Sequence, residues 1–249
     1  VKREGSKEIR EKILKHVMVR RTRGEIKKYF SQDLKRQNLK FPEVENPISI
    51  AYEFDKETAI AFDETINLIK NKFKKTRYTP KLYLKNKPSE FEMKQQENLG
   101  GFMKTQIVKR LESSFTAFRK TISRFIVSHE NYIKMLNSGQ ILIGKSINIF
   151  DLIDEDDETK INNLIDEGKL ERFRKEEFID GYIEDLYSDL ETLKTISDLW
   201  KEIDFDPKSS TLIKKLKEDK ILKDKKVIIF SESAETGKYL LEQLSKDFG

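Results

Sequence analysis

The strongest constraint on the fold is a stretch of helical periodicity between residues 101 and 136. Its apolar positions recur every three or four residues, which places them on one face of an α-helix. No glycine or proline interrupts residues 102–136, and Asn-Ser-Gly at 137–139 is a typical helix stop. We predict a single helix here, roughly 50 Å long. Its apolar face consists of Ile107, Leu111, Phe115, Phe118, Ile122, Phe125, His129, Ile133 and Leu136.

Between residues 101 and 130 the polar positions are strongly basic, and only Glu112 and Glu130 oppose six cations. The six are Lys104, Lys109, Arg110, Arg119, Lys120 and Arg124. A lysine on a core helix is usually only solvated, but this bias also suits a polyanionic partner. A second basic run consists of Lys70, Lys72, Lys74, Lys75 and Arg77.

Composition narrows the class of protein. Only 10 glycines and 5 prolines accompany a charged fraction of 37%, which favours helices over turn-rich β architecture. The chain has no cysteine and only two histidines, His16 and His129, so a Cys- or His-built metal site is not expected. No apolar run approaches the length of a membrane span and no signal peptide opens the chain, so we expect a cytoplasmic protein. Because the sequence begins at Val1 without methionine, we also expect a piece of a longer protein.

Charge is distributed unevenly along the chain. Residues 1–150 contain 32 Lys and Arg against 17 Asp and Glu, a balance of +15. Residues 151–200 contain 6 against 17, a balance of −11, and residues 201–249 carry +1. A basic first part suits a polyanion, and the acidic block is either solvated or folded back onto it.

Two short segments have strand patterns. Residues 47–54 alternate apolar with polar or small side chains, whereas residues 227–230 are apolar throughout, as a doubly covered strand would be. Because a lone buried strand leaves its backbone groups unpaired, we predict that both belong to one small sheet. A helix at 234–244 should pack against that sheet.

Other elements follow from periodicity and capping. Asp55 is a good N-cap for a helix that continues to Phe73. Further helices are predicted at 8–19, 25–30, 160–168, 171–203 and 209–218, and residues 141–150 form a β-prone run.

One motif matches a phosphate-binding loop literally. Residues 139–146, Gly-Gln-Ile-Leu-Ile-Gly-Lys-Ser, fit the pattern G-x-x-x-x-G-K-[ST]. The loop interior is bulky and β-prone, and it follows an amphipathic helix instead of a buried strand. An apolar hairpin or turn with a surface lysine, Lys145, is therefore the better interpretation. We expect the chain by itself neither to bind nor to hydrolyse ATP.

Three segments resemble parts of Swi/Snf-like superfamily-two helicases and DNA translocases. Residues 17–26, Val-Met-Val-Arg-Arg-Thr-Arg-Gly-Glu-Ile, look like the arginine-pair segment that follows the first motor lobe. Residues 226–236, Lys-Val-Ile-Ile-Phe-Ser-Glu-Ser-Ala-Glu-Thr, are similar to the strand and turn that enter the second RecA-like lobe. Residues 109–121 resemble a helical segment between the lobes of bacterial members, and the three segments occur in the family's order.

The resemblance implies a mainly α fold with a small β element from the start of a second lobe. Residues 1–46 would be a helical linker leaving the first lobe. Residues 47–54 and 208–249 would begin the second lobe, and residues 55–207 would be a helical insertion. Both halves of the family's ATP site are missing, so the chain itself would hold no cofactor, whereas the parent protein would use ATP and magnesium.

The resemblance also implies partners and site residues. The partners are DNA, expected as a duplex, and the missing motor lobes of the same chain, with no membrane involved. Arg20 and Arg21 would couple the lobes. The resemblance also adds Ser231 as a candidate DNA contact, whereas the other candidates come from the basic runs described above: Lys74, Lys75, Arg77, Lys109, Arg110, Arg119, Lys120 and Arg124. Two alternatives stay open. The first is a stand-alone helical adaptor for a protein partner, and the second is a nucleotide-binding protein that uses residues 139–146.

Overall fold

The chain is mainly α-helical, as predicted. The structure is a computed structural model that describes residues 12, 22–41, 46–144, 170–223 and 226–248. Its helices are α1 (Arg23–Tyr29), α2 (Ser31–Arg36), α3 (Lys56–Asn71), α4 (Glu90–Ser113), α5 (Phe115–Asn137), α6 (Gly181–Leu199), α7 (Pro207–Glu218) and α8 (Ala234–Phe248). The chain divides into two compact units, Val1–Ala51 and Tyr52–Gly249.

The first unit contains α1 and α2, which meet at Phe30. Thr22 begins α1 with a capping box, because its hydroxyl accepts from the Glu25 amide and the Glu25 carboxylate accepts from the Thr22 amide. This agrees with the helix predicted at 25–30. The helix predicted at 8–19 and the arginine pair, Arg20 and Arg21, lie outside the described residues.

In the second unit, α3 begins where the sequence indicated. The Asp55 carboxylate accepts a 2.8 Å hydrogen bond from the Thr58 amide. One face of α3 is buried and carries Thr65, whose hydroxyl accepts from the Trp200 indole at 2.7 Å. This bond satisfies a donor that is fully buried at the centre of the unit.

The predicted single helix over 101–136 is wrong, because α4 and α5 are separated at Ser114. Ser114 has extended backbone dihedrals, φ −164° and ψ 150°, and its hydroxyl accepts from the Ala117 amide as the N-cap of α5. Serine favours this role because its hydroxyl replaces a missing backbone acceptor. The predicted apolar face is nevertheless confirmed, since all nine of its residues are buried.

Helix α4 also begins earlier than expected, after Ser89, which forms a capping box with Glu92. Gly100 and Gly101 therefore lie inside the helix. Gly100 is buried where the side chains of Lys75 and Thr79 pass, and a Cβ there would lie 2.5 Å from Lys75 Cε. The glycine allows this close approach.

Helices α5 and α6 each contribute to two apolar clusters. The first cluster joins α3, α4, the first half of α5 and the end of α6 around Trp200. The second joins the last turns of α5 to the first turns of α6, with Tyr132 and Tyr182 at its centre. Continuous burial along both helices fixes their mutual position.

The connection between α3 and α4 is held by acidic residues of α6. The buried Asp189 carboxylate accepts from the amides of Lys74 at 2.5 Å and Thr76 at 2.6 Å. Asp185 accepts from the Tyr83 hydroxyl at 2.9 Å. Burial raises the pKa of Asp189 to about 6, although both amide hydrogen bonds act in the opposite direction.

A two-stranded antiparallel sheet follows α5. Strand β1 (Gln140–Gly144) pairs with β2 (Leu170–Arg174), in a register that places Leu142 opposite Arg172. Gly139 makes the turn into β1 with φ +93°, a conformation that favours glycine. The β-prone prediction is confirmed over 141–144, and residues 145–150 and the helix predicted at 160–168 lie outside the described residues.

The helix predicted over 171–203 is wrong for its first ten residues and for its last four. Residues 170–174 pair with β1, a 3₁₀ turn (Lys175–Glu177) follows, and α6 begins at Gly181. Pairing with a neighbouring strand overrides local helical spacing here.

The predicted sheet of residues 47–54 and 227–230 is also wrong. Neither segment is a strand, and neither pairs with another strand in the described parts of the chain. Phe54 instead packs against Phe62 and Phe115. Ile228 and Phe230 are 79% and 89% exposed. A strand pattern needs a partner edge to become a strand, and the described residues supply none to these segments.

Candidate nucleic-acid interface

A shallow, open hollow on α5 brings several basic side chains of the second unit together. It is lined by Arg119, Lys120, Ser123 and Arg124, with Glu235 of α8 on its opposite side. Residues four apart on a helix share a face, so Arg119 stands above Ser123 and Lys120 above Arg124. Three cations and one acid give the hollow an excess of positive charge. We call this site the α5 groove.

Arg119 is the best anchored cation of the α5 groove. Its Nη1 donates to the carbonyl oxygens of Trp200 at 3.2 Å and Ile203 at 2.8 Å. These carbonyls follow the last turn of α6, where acceptors lack helical partners. Arg119 therefore has a structural role in addition to its predicted role as a DNA contact.

Arg124 forms an ion pair across the groove. Its Nη2 lies 2.9 Å from Oε1 of Glu235, and both side chains are mostly buried, with 33% and 20% exposed. The same Nη2 is 3.5 Å from the Thr121 hydroxyl. The Nε of Arg124 is buried without a hydrogen-bond partner among the described residues.

The remaining candidates on α4 and α5 differ in exposure. Lys120 is exposed and makes no hydrogen bond or ion pair to the described part of the chain. Lys109 is also exposed, and its Nζ lies 3.9 Å from Glu232. Arg110 is half-buried on α4. Lys120 is thus the cation of the groove most available to a ligand.

The turn over residues 231–233 and the first turn of α8 are attached to the break between α4 and α5. The Thr236 hydroxyl is hydrogen-bonded to Ser113 at 2.8 Å and to Ser114 at 3.1 Å. Ser231, a predicted DNA contact, bonds within the turn: its hydroxyl donates to the Ser233 carbonyl and accepts from the Ser233 amide. The turn therefore has a defined position beside the groove.

Lys74 and Lys75 lie on the loop after α3 and do not line the groove. The Lys74 ammonium pairs with Asp185, and this hydrogen bond raises its pKa. Lys75 has φ +61° and its side chain passes over Gly100. These contacts give both lysines local structural roles.

Arg77 also lies away from the α5 groove. Its guanidinium lies over the rings of Tyr78 and Tyr132, 5.2 Å and 5.5 Å from their centroids. Tyr132 is eight residues beyond Arg124, about 12 Å farther along α5. The structure therefore separates the cations of the groove from Lys74, Lys75 and Arg77, which make contacts within the protein elsewhere.

Sequence reasoning missed a buried polar cluster around Arg77. The His129 Nδ1 lies 2.8 Å from the Phe125 carbonyl and donates to it, which leaves Nε2 without a proton. Burial, and then the charge of Arg77, lower the pKa of His129 to about 3. The Tyr132 and Tyr182 hydroxyls are 2.7 Å apart, and burial raises both pKa values. The spacing places His129 correctly on the apolar face but carries no information about its polar neighbours.

The literal phosphate-loop motif has a different local structure. Residues 140–144 form β1, whose backbone groups pair with β2, and Gly139 makes the preceding turn. A phosphate cradle needs consecutive backbone N–H groups that converge on one point, which a paired strand does not provide. The described part of this motif therefore does not fit a nucleotide phosphate. Lys145 and Ser146 lie outside the described residues.

The fold and site together define a mainly helical protein with a basic groove beside the start of α8. No protein-family model, curated protein or solved structure matches the chain significantly. Within the described ranges, no group of three or more acidic or histidine side chains could hold a metal ion. None of the described helices combines the length and apolarity required to cross a bilayer.

Proposed function

We propose that this chain is the helical region between the two RecA-like lobes of a bacterial, Swi/Snf-like helicase or DNA translocase. It would contribute sequence-independent contacts to duplex DNA and help couple the lobes of a cytoplasmic motor. ATP and magnesium would be bound by the lobes of the longer protein. The resemblance of three ordered sequence segments to this family motivates the proposal.

One juxtaposition supports it most strongly. The segment that resembles the inter-lobe helix contributes Arg119 and Lys120 to one open groove, which Arg124 of the same helix also lines. The turn that resembles the entry to the second lobe lies beside that groove, hydrogen-bonded through Thr236 to Ser114. Two segments that are more than 100 residues apart in the chain thus meet where a polyanion would be attracted.

A second observation is consistent with attachment to a motor lobe. The segment 226–230 leads into α8 with Ile228 and Phe230 largely exposed. An exposed apolar segment with the composition of a strand is suited to pairing with further strands. The same exposure favours the alternative of a helical adaptor, because an apolar patch can also bind another protein.

A measurement of DNA binding by the groove distinguishes the motor-region proposal from the helical adaptor. Fluorescence anisotropy with a short labelled duplex should show binding that weakens steeply with added salt. Lys120→Gln should weaken binding and reduce the salt slope by about 1, the effect of one lost phosphate contact. The matched control is Lys214→Gln on α7, another exposed helical lysine with no ion-pair partner in the described chain.

Two results would contradict the proposal. The first is absence of binding at low salt, which would favour the adaptor. The second is an equal loss from Lys120→Gln and Lys214→Gln, because this would indicate a general charge effect without a site at the groove.

A further inference from the structure

The turn over residues 231–233 and the first turn of α8 each place one acidic side chain near a predicted DNA contact. Glu235, in the first turn of α8, pairs with Arg124 at 2.9 Å. Glu232, three residues earlier, lies 3.9 Å from Lys109. Lys109 and Glu232 are 52% and 87% exposed, so their interaction is weak. The Arg124–Glu235 pair is therefore the stronger of these two contacts.

This stronger pair is incomplete on both sides. A guanidinium can donate two parallel hydrogen bonds to a carboxylate or a phosphate. Here only Nη2 of Arg124 reaches Glu235, and the buried Arg124 Nε and Glu235 Oε2 both lack partners among the described residues. Unsatisfied buried polar atoms are costly, so an arrangement that supplied partners to both atoms would have a lower free energy than the present pair.

A phosphodiester group could complete the fork of Arg124, because it offers two anionic oxygens. It would at the same time meet Lys120, which has no partner in the described chain. Once displaced, the Glu235 carboxylate would still be favoured by the positive end of the α8 dipole. Exchange of one anion for the other is therefore physically reasonable.

We propose that Glu235 is an intramolecular competitor for the backbone phosphate of nucleic acid at Arg124. Binding in the α5 groove then requires release of the Glu235 carboxylate, which couples occupancy of the groove to the position of the first turn of α8. This inference rests on the proposed function and adds a means of regulating the same site.

The test measures duplex affinity by anisotropy for a set of variants. Glu235→Gln should tighten binding about fivefold, the equivalent of roughly 1 kcal/mol for a partly buried ion pair. Glu242→Gln is the matched control, since it removes the same charge from an exposed position on α8. Glu235→Asp keeps the charge but shortens the reach to Arg124, so it should also tighten binding.

A double-mutant cycle tests the mechanism directly. In an Arg124→Gln background, Glu235→Gln should no longer tighten binding, because no guanidinium remains to be released. Circular dichroism checks the fold of each variant. If Glu235→Gln fails to fold, Glu235→Asp measured with and without Arg124→Gln decides.

The possible failures are distinguishable. If wild type binds DNA through Lys120 but neither Glu235 variant exceeds Glu242→Gln, the competitor role is overturned and the proposed function stands. A gain that persists without Arg124 also overturns the competitor role. If no variant binds DNA at low salt, both proposals are overturned.

Discussion

Arg119 donates to the carbonyl of Ile203 over 2.8 Å, although 84 residues separate them in the chain. The same nitrogen reaches the carbonyl of Trp200, so one side chain of α5 satisfies two acceptors beyond the end of α6. A cation chosen from the sequence as a DNA contact thus helps to hold two long helices together. Replacing Arg119 should therefore lower the stability of the fold, whether or not a ligand is present.

We predict that Arg119→Ala lowers the free energy of unfolding by about 2 kcal/mol, because two carbonyls lose a charged donor. Urea unfolding followed by circular dichroism measures this change. Lys120→Ala is the control on the adjacent position and should stay within about 0.5 kcal/mol of wild type. Equal stabilities for the two variants would show that the Arg119 contacts contribute little.

Neighbouring glycines of α4 should respond to alanine in opposite directions. A Cβ on Gly101 meets nothing within 4 Å, so Gly101→Ala should stabilise the protein by about 0.5–1 kcal/mol through helix propensity. A Cβ on Gly100 would lie 2.5 Å from Lys75 Cε and 2.9 Å from Thr79 Cγ2. Lys75 can move aside, but Thr79 is buried and resists displacement.

Gly100→Ala should therefore be less stable than Gly101→Ala by about 2 kcal/mol, a cost typical of overpacking. Thermal and urea unfolding of both variants measure the difference. A Gly100→Ala protein as stable as Gly101→Ala would mean that the loop over Gly100 adjusts freely.

His129 should remain neutral in the folded protein through the mildly acidic range. Its pKa is lowered to about 3 by burial and by Arg77, whereas a histidine in the unfolded chain has a pKa of about 6.5. Between these values the unfolded chain binds more protons than the native chain. The contribution of His129 to stability is therefore fully present above about pH 6.5 and decreases as the pH falls, by at most about 1.4 kcal/mol per pH unit.

Proton NMR can check this directly, because the chain has only two histidines. The His129 resonance, assigned by its loss in His129→Gln, should not titrate between about pH 5 and about pH 8. Urea unfolding should also depend less on pH in His129→Gln than in wild type. A His129 midpoint near 6 would show that the imidazole is not buried as described.

The sequence determined the features that depend on local spacing and local hydrogen bonding. The mainly helical class and the buried face from Ile107 to Leu136 follow from a three-to-four residue period. The start of α3 at Asp55 and the stop of α5 before Gly139 follow from capping and from glycine's conformational freedom. Each of these signals is complete within a few consecutive residues.

Tertiary structure decided the features that depend on a distant partner. The break at Ser114 keeps the apolar face in phase, so periodicity could not reveal it, and β2 is a strand because β1 lies beside it. Residues 227–230 have the composition of a strand but no strand neighbour among the described residues. The roles of Arg119 and Arg124 likewise depend on Ile203 and Glu235, because a cation acts through the acceptor that folding brings to it.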